Sequence, residues 1–308
     1  MPIVVGLHAL KRPPRRAVVT IGMFDGVHIA HQRLIRTAVR LAKRRRGTSV
    51  VITFDPDPQC VLDPRHAQTP FMPLAARVRL IQALGVDLIW IIPFTRRFSR
   101  LSPKQFVETI LLERVRASCV VVGGTFAFGS GRRGNLALLR RLGQQHGMRV
   151  VSLSPVLRGG QIVSSSRIRA LIANGELDAA QRLLGRPVEL YGTVVHGQGR
   201  ARRLGFPTAN VRLTSQLLPP RGVYHVWLMH AGRRVDGLMN LGVRPTFGPG
   251  PLVCEVHLVG FNGTLYGQPV IIGLLKRLRD EQRFDSPQEL ITQIRRDFIR
   301  ARLLRRSS

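Results

Sequence analysis

The sequence predicts an α/β domain wound around a parallel sheet on both faces, followed by a small antiparallel β-barrel that carries a C-terminal helix. Three observations lead there. Over residues 1–185, short β-branched apolar runs alternate with helical stripes, the order expected of a doubly wound parallel sheet. From Val188 onward, short strand-like runs follow one another with turns between them, and a helical period returns only at the end. At the junction Gly185 stops a helix and Pro187 prevents its renewal, so the expected domains are 1–185 and 186–308.

At 308 residues the chain has room for two cores, and 44% hydrophobic with 6% aromatic content fits a globular chain rather than a disordered one. No apolar run reaches the length of about 18 residues that a membrane span needs. The N-terminus lacks a basic region followed by an apolar core, so no signal peptide is expected and the expected compartment is the cytoplasm. Cys60, Cys119 and Cys254 have no metal-ligand spacing and are expected as reduced thiols. Lys and Arg number 48 against 17 Asp and Glu, a net charge of +31 that attracts polyanions. The arginine doublets are nevertheless spread along the chain, without an aromatic-rich or Cys/His recognition module. No specific nucleic acid and no membrane are therefore expected as partners, and the chain is expected as a monomer or weak oligomer.

The elements follow in order. Residues 18–21 read as a buried strand, Gly22 and Gly26 punctuate a turn, and Leu34, Ala38, Leu41 and Ala42 form the stripe of a helix. His28 and His31 then lie at that helix's N-terminus, where free amides and the dipole favour a polyphosphate; an ordinary capping role is the alternative. Residues 49–54 form a second strand, ending in Asp55-Pro-Asp-Pro58 at a point where open α/β sheets place ligands. A helix over 74–84, a strand over 86–93 and a helix over 102–112, opened by Ser102 and Pro103, come next. A strand over 118–122 leads into the glycine-rich loop 123–134, and a strand-like run over 150–156 precedes a helix opened at 163–169. Ser164 or Ser165 can cap that helix, which ends at Asn174-Gly175, and 176–184 forms one more.

In the second half, strands are expected over 191–195, 222–228, 234–241, 252–258 and 265–272, the last two joined by a tight Asn262-Gly263 hairpin. Ser286-Pro-Gln-Glu289 is a capping box, and Leu290, Ile291, Ile294 and Phe298 give the following helix an apolar face that must pack on the barrel. Along 252–258, Glu255 and His257 alternate away from Cys254 and Val256, a solvated face unless the carboxylate has a task.

Several stretches together carry a resemblance. Gly22-Met-Phe24-Asp25-Gly-Val-His28-Ile-Ala-His31, the loop Gly123-Gly-Thr125-Phe126-Ala-Phe128-Gly-Ser-Gly-Arg-Arg-Gly134 and Ser164-Ser165-Ser166-Arg167-Ile-Arg169 resemble the nucleotidyltransferase half of bacterial bifunctional riboflavin kinase/FAD synthetases. Gly197-Gln-Gly199-Arg200, Leu204-Gly-Phe-Pro-Thr208-Ala-Asn210, Asn240 to Phe247, Glu255-Val-His257 and Leu278-Arg279-Asp-Glu281 resemble its kinase half. The chain departs from the family pattern at Met23, Ala30, Asp57, Thr125, Ala127 and Asn135, all in the first half. The resemblance implies Mg-ATP-dependent phosphorylation of riboflavin to FMN, then adenylylation of FMN to FAD. It implies Glu255 as general base, and His28, His31 and Arg167 as the groups that stabilise the adenylyl transfer. ATP and its phosphates fall to Gly22, Phe24, Asp25, Ser164, Ser165 and Ser166 in one site and to Gly197, Gly199, Arg200, Thr208 and Asn210 in the other. Thr208 and Asn210 also hold Mg2+, while Thr125, Phe126, Phe128, Arg279 and Glu281 hold flavin. A kinase with a degenerate first half and a noncatalytic nucleic-acid binder remain the alternatives.

Overall fold

The computed structural model describes residues 2–197, 205–214, 216–243 and 252–305, with residues 303–305 by backbone only. Contacts divide the chain into one unit of Met1–Thr69 with Leu74–Ser165 and a second of Pro70–Pro73 with Ser166–Ser308.

The first unit is a six-stranded sheet of β1 (Ile3–Val5), β2 (Ala17–Ile21), β3 (Ser49–Asp55), β4 (Leu88–Pro93), β5 (Ala117–Gly123) and β6 (Arg149–Leu153), in the order β1-β4-β3-β2-β5-β6. Every pairing is parallel. Successive side chains of a strand face opposite ways, and here both ways are covered. Val19, Ile21, Val50, Ile52, Trp90, Val120 and Val122 pack with Phe106, Ile110, Leu111 and Leu139. On the other side Val51, Ile89 and Ile91 meet Ile35, Val39, Val78 and Ile81, while Val18 and Val121 meet Ala38 and Ala42. This is the doubly wound sheet that the alternating runs predict. The Trp90 indole, fully buried, donates to the Gly6 carbonyl at 2.8 Å.

Three details differ from the expectation. Ile3–Val5 forms an edge strand too short to announce itself by pattern. The helix expected over 102–112 does start with a reciprocal Ser102–Gln105 capping box, but Phe106–Arg114 then winds as a π-helix. Val115 N–H reaches back five residues to the Ile110 carbonyl, and Phe106, Val107, Ile110 and Leu111 are all buried. The strand expected over 150–156 stops at Leu153, and β7 (Leu157–Arg158) pairs with β8 (Gln161–Ile162) in a separate small hairpin.

The second unit is a closed barrel of β9 (Val188–Val195), β10 (Ala209–Leu213), β11 (Gly222–His230), β12 (Arg233–Gly242), β13 (Val253–Leu258) and β14 (Pro269–Arg279), ordered β10-β13-β12-β11-β14-β9. Its ladders are all antiparallel, with β9 against β10 closing the ring. Leu190, Tyr224, Val226, Leu228, Met239 and Val256 are fully buried; buried and half-buried residues alternate along β13, whereas β11 is buried on both faces from Gly222 to Leu228. Closure also overturns the Asn262-Gly263 hairpin: β13 and β14 are not neighbours, since β13 lies between β10 and β12 and β14 between β11 and β9. Residues 259–268 cross from one to the other, and the last strand runs over Pro269–Arg279 instead of 265–272.

Helices Ser165–Ala173 and Leu177–Leu184 belong to this second unit, where Gln181 donates to the Leu274 and Leu275 carbonyls at 3.1 Å. The helix Pro287–Arg305 covers the outer wall through Phe298 and Ala301, which meet Val223, Leu238 and Leu278. Asp297 is 2% exposed and receives two bonds from the Arg279 guanidinium, at 3.1 and 2.9 Å. Trp227 lies in the notch left by Gly273, where a Cβ would come within 2.0 Å of the indole, and the Arg234 guanidinium stands 4.5 Å above the ring.

Candidate active sites

In the first unit the strand order reverses at β2, which has β3 on one side and β5 on the other. Open α/β sheets bind ligands outside the carboxyl ends of their strands at such a switch point. The loop after β2 carries Gly22, Phe24, Asp25, His28 and His31, and the loop after β5 carries Thr125, Phe126 and Phe128. The topology brings these two loops to one end of the sheet.

The β2 loop is tightly wound. Phe24 and Val27 adopt φ of 53° and 38°, left-handed values that a β-branched residue such as Val27 takes only under constraint. Phe24 is 1% exposed; its ring folds over Gly22, whose Cβ would sit 3.2 Å away, and meets the His31 ring edge-on at 5.3 Å. His28 caps the 16-residue helix Ile29–Arg44, its Nδ1 accepting the His31 N–H at 3.3 Å. The two imidazoles stack with centroids 3.5 Å apart. Burial first, and then the neighbouring His28, hold the His31 imidazole well below the usual histidine range. Its Nδ1 is enclosed with no hydrogen-bond partner among the described residues. A neutral His31 imidazole at a helix N-terminus has donor and proton-accepting capacity in reserve for an anion.

Arg77, which sequence reasoning missed, fixes this loop from below. It is 7% exposed and donates to the Met23 carbonyl and the Phe54 carbonyl, each at 3.0 Å, so one side chain ties the ends of β2 and β3 together. Thr53 adds a bond to the same Met23 carbonyl at 3.2 Å. Burial lowers the pKa of Arg77, and Asp25, Asp55 and Asp57 oppose that shift. Ser165 donates to the Asp25 carbonyl at 3.4 Å; Ser164 and Ser165 are half-buried. Ser166 and Arg167 continue into the same helix but group with the second unit.

In the β5 loop Thr125 is exposed at the strand's end, while Phe126 and Phe128 stack on each other at 5.4 Å. Phe128 is 6% exposed against Phe106, so most of its ring is core. Asp57 and Asn135, two of the departures from the family pattern, each cap a helix: Asp57 accepts from Gln59 N–H and Asn135 from Leu138 N–H.

In the barrel, Glu255 on β13 is paired in register with Asn210 on β10 and with Asn240 on β12. Asn210 lies against Gly197, where a Cβ would come within 2.0 Å of its amide nitrogen. Thr208, half-buried, precedes Asn210 by two residues, just before the chain enters β10. His257 donates its Nδ1–H to the Pro207 carbonyl, 2.8 Å away, and joins Phe206 and Phe298 in an aromatic cluster beside the C-terminal helix. The face opposite Cys254 and Val256 is therefore partly roofed, not a plain solvated face. Glu281 accepts the Val243 N–H at 3.2 Å and lies over Gly242. Arg279 is engaged by Asp297, a partner the sequence reading did not single out. His196 and Tyr266 stack at 3.9 Å beside Gly197. Gly199 and Arg200 lie outside the described residues, as do positions 244–247 of the Asn240 segment.

A family model described as FAD synthetase matches residues 10–167, and one described as riboflavin kinase matches 184–304. The bifunctional riboflavin kinase/FMN adenylyltransferase of Escherichia coli K12 is 36% identical over 304 residues, 98% of this chain and 97% of that one. Its Pseudomonas fluorescens counterpart is 38% identical over 305 residues, 99% of this chain and 98% of the other. A crystal structure titled as a macrolide-efflux protein from Streptococcus pneumoniae superposes with a TM-score of 0.89 at 30% identity, over 98% of this chain and 99% of that one. Among the described residues no helix is long and apolar enough to cross a membrane. With both families matched in order and the full-length relatives alike in both halves, the chain belongs to the bifunctional riboflavin kinase/FMN adenylyltransferase family.

Proposed function

We propose that this chain converts riboflavin to FMN in the barrel and FMN to FAD at the switch point of the parallel sheet. One observation carries the reading: each unit has a polar pair suited to phosphate chemistry, the His28–His31 rings stacked at a helix N-terminus in one and Asn210 in register with Glu255 in the other. The domain boundary belongs between 185 and 186, where the kinase half begins.

In the barrel, Glu255 takes the proton of the ribityl 5′-hydroxyl as its oxygen attacks the γ-phosphorus of ATP, and ADP leaves. Thr208 and Asn210 contribute neutral oxygen ligands, a donor set that fits Mg2+, which keeps several waters and draws other oxygens from the nucleotide phosphates. The ion would neutralise phosphate charge there. Gly197, Gly199 and Arg200 line the phosphates, and Arg279 and Glu281 hold the flavin end. In the sheet unit an FMN phosphate oxygen attacks the α-phosphorus of a second ATP and pyrophosphate leaves. His28, His31 and Arg167 stabilise the charge that develops, Gly22, Phe24, Asp25 and Ser164 to Ser166 shape the triphosphate cradle, and Thr125, Phe126 and Phe128 form the flavin side. The partners are ATP, riboflavin and FMN, without specific nucleic acid or membrane, and the enzyme works in the cytoplasm as a monomer or weak oligomer. Free thiols at Cys60, Cys119 and Cys254 support that compartment.

The test is to incubate the pure chain with riboflavin and Mg·ATP and separate FMN from FAD. Both products are expected. Glu255→Gln should lower FMN formation by about 10²-fold or more, and His31→Ala should abolish FAD formation from supplied FMN while sparing the kinase. FMN without FAD, even at high FMN and with Ala30→Gly or Thr125→Asp, would leave a monofunctional kinase.

A further inference from the structure

We infer that Asn240 positions the polyol end of the flavin against Glu255, by a hydrogen bond to a hydroxyl next to the one that reacts; this rests on the kinase reading above. Strand β13 lies between β10 and β12, and the register puts Asn210 on one side of Glu255 and Asn240 on the other. Directly opposed residues of antiparallel strands share a face. The three side chains thus form a row across the barrel wall, with about 4.8 Å between strands.

That row lies on the outer face. Met239 and Leu241, on either side of Asn240, are buried inside the barrel, as are Cys254 and Val256 on either side of Glu255. Beyond Asn240 the row continues to Val223, which packs under Ala301 of the C-terminal helix. Val223 is covered by that helix and Arg279 stands in register beyond it, so Asn240 is the uncovered polar side chain that borders Glu255 on the side away from Asn210. Asn210 is seated against Gly197, on the side assigned to the nucleotide phosphates. In-line transfer sets the attacking hydroxyl between Glu255 and the γ-phosphorus, so the alcohol enters from the opposite side. Asn240 is half-buried there, and among the described residues no hydrogen bond occupies its side-chain amide. An amide both donates and accepts, which suits a secondary hydroxyl.

The experiment compares full-length wild type, Asn240→Ala and Asn240→Ser on riboflavin and on a flavin lacking the hydroxyl adjacent to the terminal one. Asn240→Ala is expected to lower kcat/KM for riboflavin about tenfold, the effect of one lost hydrogen bond, with KM for ATP unchanged. Ser should restore most of it. The deoxy analogue should lose the same factor with wild type and nothing further with Asn240→Ala. An unchanged riboflavin kcat/KM in the Ala variant overturns the inference, and so does an equal Ala effect on both flavins. If the Ala variant does not fold, the inference is overturned when Asn240→Ser penalises the two flavins equally. A wild type that makes no FMN overturns the kinase reading itself.

Discussion

At His31 the fold and the solvent compete for one proton. Burial and His28 hold its folded pKa well below the usual value, whereas the unfolded chain takes a proton near pH 6.5. Over the interval below about 6.5 the unfolded state binds more protons than the native one, so stability rises with pH there and is lost as the pH falls. Going from about pH 7.5 to about 5.5 should therefore speed hydrogen exchange in β2 and the helix Ile29–Arg44 of the wild type, and do so less in His31→Gln. Equal acid sensitivity in both would mean that His31 is not the group responsible. A bound triphosphate pulls the other way, since an anion favours the imidazolium, and ATP binding in mildly acidic buffer should take up a proton, readable by calorimetry in buffers of different ionisation heat. The two histidines were legible because their spacing before a helical stripe says where they sit. Arg77 was not, because in Leu74–Gln82 it lies between Ala76 and Val78 and reads as an interruption of the apolar pattern. Removing it as Arg77→Met withdraws a donor from the Phe54 carbonyl and leaves the Met23 carbonyl with the Thr53 bond, a cost of about 1–3 kcal/mol, and should impair FAD formation while FMN formation persists. Asp297 left a fainter trace: it is the one carboxylate after Glu289 in a C-terminal helix otherwise rich in arginine.

Elements were legible where local pattern decides them and illegible where distant pairing does. The strands of the parallel sheet carry near-continuous apolar runs because both faces are covered, and turn residues bound them. Asn262-Gly263 misled because a turn dipeptide speaks only for its own neighbourhood, while barrel closure assigns β13 and β14 to different neighbours. The π-helix at Phe106–Arg114 was equally hidden, since its residues suit an α-helix as well. Two glycines mark where elements approach too closely for a side chain. At Gly273 an added Cβ meets the Trp227 indole, so Gly273→Ala should destabilise the barrel by about 1–3 kcal/mol through overpacking, measured as a lower denaturant midpoint. At Gly197 the added Cβ meets the end of the Asn210 side chain, which can swing away. Gly197→Ala is expected to leave stability nearly unchanged and to raise KM for ATP in the kinase reaction; unaltered kinase kinetics would show that the Asn210 seat is unimportant.

Over the whole molecule the +31 charge has no counterpart in any recognition module, and the arginines lie on both units. Association with RNA or DNA should therefore be indifferent to sequence and collapse as salt rises from about 50 to about 200 mM, as counterion release requires. A sequence-selective complex that survives the higher salt would contradict this. The order of the two units in the chain was legible from the change of period at residue 188, but the attachment of the helices over 165–184 to the second unit was not, because the apolar face of a helix does not say which sheet it will meet. The two tryptophans, met above as packing anchors, fall one to each unit: Trp90 with its indole N–H bonded to a carbonyl, Trp227 beneath a guanidinium with its N–H unpaired among the described residues. They are thus two intrinsic fluorophores in unlike surroundings, and Trp227→Phe or Trp90→Phe silences one half of the enzyme optically while the other keeps emitting. Melting curves of a two-unit chain, which otherwise blend two transitions into one signal, separate into a curve for the adenylyltransferase half and a curve for the kinase half.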